Sequence, residues 1–152
     1  MATWQDFIDI LTEQLGAEKV SKGSDGTKVS VTFDLPAKKD STERRHQTVL
    51  FECDGKNTKW VAATSLVGTF NGEDANFIPK LLEIIGKDYN IPGAVIVGGQ
   101  LALRTHFSLS SVTDGSTEDF EKRIVEIALL STATIGSMAD ALESAFSDAD
   151  VR

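Results

Sequence analysis

Residues 93–142 contain the feature that most limits how this chain can fold: two strand patterns joined by a glycine pair, then a helix apolar on nearly every side. Ala94-Val95-Ile96-Val97 reads as a strand, Gly98-Gly99 as a tight turn, and Gln100 to Leu109 as the returning strand. Glycine supplies the positive φ that a two-residue hairpin loop demands. On the returning strand Leu101, Leu103, Thr105, Phe107 and Leu109 share one face, and Ala102, Arg104, His106 and Ser108 share the other. This alternation predicts one buried and one wetted side. Beyond Thr113-Asp114-Gly115, a helix starting near the N-cap Ser116 carries Phe120, Ile124, Ile127, Leu130, Ile135, Met138 and Leu142. It has no charge from Ile127 to Ala139, and its small residues there predict close packing on the sheet or across a subunit boundary.

The preceding chain supplies the rest of the layers. Thr3 to Leu15 reads as an amphipathic helix with Trp4, Phe7, Ile8, Leu11 and Leu15 on one stripe, Thr3 and Asp6 at its cap and Gly16 at its stop. Val29, Val31, Phe33 and Leu35 alternate with polar residues on a first strand that Pro36 ends. Residues 37–46 are almost wholly polar and hold Lys38, Lys39, Arg44 and Arg45, which reads as a solvated loop. A second strand follows from Gln47 to Cys53, then a turn at Asp54-Gly55-Lys56-Asn57. The third runs from about Thr58 to Val67, is apolar on both faces, and is expected at the centre of the sheet or covered on its second face. Glu73 to Ile85 reads as a middle helix with a wide stripe of Phe77, Ile78, Leu81, Leu82, Ile84 and Ile85, and Pro79 within it implies a kink or a late start near Asn76. That stripe fits either a covered core helix or an interface. The expectation is a single α+β domain over 1–146 with a frayed tail at 147–152. Its order is α-β-β-β-α-β-β-α, with helices packed on an antiparallel five-stranded sheet.

Composition narrows the function classes. At 152 residues, 41% hydrophobic and 25% charged, the chain is that of an ordinary globular protein. A net charge of -8 argues against a nucleic-acid surface, which needs clustered Lys and Arg. The N-terminus lacks a signal-peptide pattern, and the uncharged run in the last helix is shorter than the ~20 apolar residues that span a bilayer. One cysteine, Cys53, excludes an intrachain disulfide and fits a reducing, cytoplasmic setting.

Few residues carry chemistry. Cys53 alternates with Val49 and Phe51, as a small core hydrophobe does. His46 and His106 are the only histidines, and no His or Cys spacing suits a metal, so neither metal nor cofactor is expected. The glycine pair at 98–99 links two strands and lacks the helix and lysine of a phosphate loop. No catalytic residue is assigned. Arg104 and His106 leave one strand on the same side, either as solvent-facing polar residues or as a face for a small anion.

Over nearly its whole length, the order of elements resembles the type III secretion chaperones and the YbjN-type putative sensory-transduction regulators. The nearest local likeness is the hairpin ending in Leu101 to Leu109, followed by Ser116-Thr117-Glu118-Asp119-Phe120 opening the long final helix. The resemblance implies a non-enzymatic homodimer that binds a partner polypeptide. By position, Phe77, Leu81 and Ile85 would take the dimer role of the middle helix, and Val31 and Phe33 would form an apolar patch for the partner. The alternative is a small-anion-binding domain, or an enzyme, using Arg104 and His106.

Overall fold

The computed structural model describes residues 3–36, 44–54, 57–69 and 93–109, together with Lys122, Arg123, Glu126, Gly136, Met138 and Ala139. Of Phe33, Leu35, Pro36, Arg44, Arg45, Asn57, Thr58 and Thr69 only the backbone is described. The chain is α+β. Helix α1 is Trp4–Leu15, and the strands are β1 Val20–Lys22, β2 Lys28–Pro36, β3 Arg44–Asp54, β4 Asn57–Thr69, β5 Gly93–Val97 and β6 Gln100–Ser108. They form one antiparallel sheet in the order β1-β2-β3-β4-β6-β5.

α1 begins where its cap dictates. Thr3 Oγ1 accepts from the Asp6 amide at 3.2 Å, and the Asp6 carboxylate accepts from the Thr3 amide at 2.9 Å, a reciprocal box that satisfies two orphan donors. It ends at Gly16, whose φ of +92° excludes most side chains and whose amide reaches the Thr12 carbonyl at 3.0 Å. Trp4 Nε1 donates to the Gly26 carbonyl at 2.7 Å, which ties the helix to the β1–β2 turn.

The apolar stripe of α1 packs on one face of the sheet. Phe7 stacks on Trp4 at 5.4 Å, meets Phe51 edge-on at 5.2 Å and tilts against Phe107 at 5.6 Å. Around them Leu11, Val29, Val31, Val49, Val61, Ala63 and Leu103 are fully buried. Ala139 belongs to the same core and Met138 packs against it. The six described positions after residue 109 have helical backbone, but the expected start near Ser116 lies outside the described residues, as do the middle helix at 73–85 and the tail.

The expected five strands are all present, and the sheet has a sixth. β1 has three residues and one apolar side chain, too short for alternation to register; it forms because Val20, Ser21 and Lys22 pair with Val31, Ser30 and Val29. β3 starts at Arg44, not at Gln47, so Arg44, Arg45 and His46 belong to the ladder and not to the polar loop. Pairing with the end of β2 overrides their low strand propensity, and His46 Nδ1 lies 2.6 Å from Asp34 Oδ1 across the pair. β4 is central, flanked by β3 and β6. The glycine turn closes β5 on β6 with φ of +58° at Gly98 and +78° at Gly99, a conformation that side chains disfavour at both positions. Ala102, read as wetted, is fully buried, with Leu66 and Val95 as its neighbours across the two flanking strands.

Candidate functional site

The covered face uses alternate residues of each strand, which leaves the others on an open face. Register places Lys28, Glu52, Ala62 and His106 in one row across four strands, and Ser30, Leu50, Thr64 and Arg104 in the next. Glu52 meets Lys28 at 3.1 Å, while Arg104 approaches the other carboxylate oxygen at only 3.7 Å. That approach runs diagonally across β4, between the row of Ala62 and the row of Thr64. Arg104 Nε donates to Thr64 Oγ1 at 2.9 Å, which fixes the plane of the guanidinium. Of the two rows, Lys28, Ser30, Leu50, Glu52, Thr64 and Arg104 line a concavity of about 660 Å³ together with Leu66, Val97 and Gln100.

Arg104 therefore has a site around it, whereas His106 is exposed and does not line the concavity. The two leave one face but do not converge. Val31 is 1% exposed in the core beneath α1, so a partner cannot touch it while α1 is docked. The Phe33 side chain, and Phe77, Leu81 and Ile85, lie outside the described residues. Lys38 and Lys39 of the basic stretch do as well.

The sheet's two edges differ. β1 is short and carries exposed Ser21 and Lys22, the sort of charge that discourages pairing with another chain. β5 has five residues and no charge, and Ile96 is 50% and Val97 38% exposed. In a two-residue hairpin the flanking pair, here Val97 and Gln100, exchanges its backbone bonds. Alternation then directs the amides and carbonyls of Ala94 and Ile96 away from β6. Among the described residues nothing pairs with that outer edge.

Two further groups bear on chemistry. Cys53 is a free, buried thiol, and burial pushes its pKa up, so it is a poor nucleophile and a good core residue. Gln47 is buried on the covered face, where its amide donates to Ser65 Oγ at 2.7 Å and to the Leu66 carbonyl at 3.0 Å. Among the described residues no group of His, Cys, Asp and Glu side chains could hold a metal ion, and no helix is long and apolar enough to cross a membrane.

The strand pattern of 100–109 singled out Arg104 but missed Glu52, Lys28 and Thr64, which are distant in sequence and meet only through register. The β5 edge had a signal, its uncharged run, but edge position depends on strand order. No protein-family model matches the chain, and no curated protein matches it significantly.

Proposed function

We propose that this chain is a non-catalytic, chaperone-like or regulatory protein-binding domain whose β5 edge takes an added strand from a partner polypeptide. The observation that carries the reading is the contrast between the two sheet edges: β1 is short and charged, while β5 is longer, uncharged and apolar. An added strand would bond to the backbone of Ala94 and Ile96 and place alternate side chains beside Val95 and Val97. The resemblance to secretion chaperones and YbjN-type regulators gains support from the five expected strands, all found in one antiparallel sheet. A homodimer and a cytoplasmic setting belong to the same proposal, the latter supported by the free cysteine.

The test is affinity capture from host lysate with the wild type and with Ile96→Pro. Proline there removes an outward amide and leaves the inward bonds of Val95 and Val97 in place. The expected result is one stoichiometric polypeptide captured by the wild type and lost in a variant with an unchanged melting temperature, with sedimentation giving twice the chain mass. Equal capture by a folded Ile96→Pro variant would overturn the edge as the binding surface.

A further inference from the structure

We propose that the concavity on the open face is a binding site for a small amphipathic carboxylate, held by its anionic end at Arg104 and by its apolar body over Leu50, Leu66 and Val97. This does not rest on the β5 edge. The volume of about 660 Å³ falls within the ~300–1,000 Å³ of small-molecule sites.

Arg104 is poised for an anion. Its Nε is committed to Thr64 Oγ1 at 2.9 Å, which orients the planar fork. Its Nη2 stands 3.7 Å from Glu52, well beyond the ~2.7–2.9 Å of a charge-assisted hydrogen bond. Glu52 instead lies nearer Lys28, at 3.1 Å. The fork is therefore held in plane and, among the described residues, not closed by a carboxylate of its own. Among the described lining residues the formal charges are Lys28 and Arg104 against Glu52, beside a His46 whose ring lies 2.6 Å from Asp34, a surplus of one positive charge in a chain of net charge -8. An anion is the complementary guest.

The remainder of the lining specifies the rest of the ligand. Leu66 lies in the row beside Thr64, and Val97, 38% exposed, lies opposite Gln100, so an apolar surface runs along the face from the guanidinium towards Gln100. Gln100, four residues before Arg104 on β6, lies about 13 Å away at the usual strand rise. Its amide has no hydrogen-bond partner among the described residues and marks the polar far end. An inorganic anion would leave the apolar surface bare, and a neutral lipid would leave Arg104 unused.

Decanoate, with its carboxylate and a chain of suitable reach, is the probe, compared by calorimetry and amide chemical-shift titration with decan-1-ol and acetate. The account expects saturable decanoate binding with shifts at Thr64, Leu66 and Arg104, and at least tenfold weaker binding of both controls. Arg104→Ala should weaken decanoate at least tenfold, and Leu66→Asp should do the same through the apolar end. Glu52→Gln should tighten it several-fold, because the competing carboxylate is gone and Lys28 is released. Arg104 and Glu52 are half-buried and Leu66 is 36% exposed, and none of the three belongs to the buried core, so melting curves should show the variants folded. Equal binding of decanoate and decan-1-ol, undiminished binding by Arg104→Ala, or no saturable binding would each overturn the proposal.

Discussion

The two faces of the sheet are made by alternate residues of the same strands, yet they differ in nearly every physical respect. The covered face is dry and aromatic: Phe7, Phe51 and Phe107 interlock, and its buried Gln47 and Ser65 satisfy one another. The open face mixes half-exposed ion pairs with Leu66, Val97 and a Trp60 that is 54% exposed. Apolar burial dominates stability, while exposed ion pairs contribute little. One face holds the fold together, and the other carries the proposed carboxylate site.

That division can be broken by mutation. Phe7→Ala removes the ring that touches Trp4, Phe51 and Phe107, and should cost about 3–5 kcal/mol in chemical denaturation. Gln47→Ala should cost about 1–3 kcal/mol, since it strips the Leu66 carbonyl and Ser65 hydroxyl of a buried donor. Thr3→Ala should cost about 1 kcal/mol through the lost cap. It should also flatten the acid limb of stability. The Thr3 side chain and then its backbone amide hold the Asp6 carboxyl below its usual 3.8, so this contribution is present above that value and lost as pH falls through the lower folded one. Last, Arg104→Ala on the open face should change stability by less than about 1 kcal/mol while weakening decanoate binding at least tenfold. A larger loss of stability there than at Phe7 would dissolve the distinction between the faces.

How much of this was legible in the chain depends on how local each signal is. The β5–β6 hairpin is readable because Gly98-Gly99 and the alternation from Leu101 to Leu109 fall in one short stretch. The capping of α1 is readable for the same reason: Thr3 and Asp6 are three residues apart. β1 is not, since three residues with one valine carry no period, and Arg44 to His46 look like loop until β2 pairs with them. The candidate site is the least legible part. Glu52 and Arg104 come within reach because register sets their rows side by side across β4, and nothing in their spacing of 52 residues announces it.

The central claim is that the sheet keeps one edge available, and amide hydrogen exchange on the dilute protein tests it most directly. The account predicts that Ala94 and Ile96 exchange rapidly while their neighbours Val95 and Val97, bonded to β6, stay protected, and that partner polypeptide slows the first pair alone. Protection of all four amides in the dilute, unliganded protein would mean that the edge is already covered, and would contradict the account.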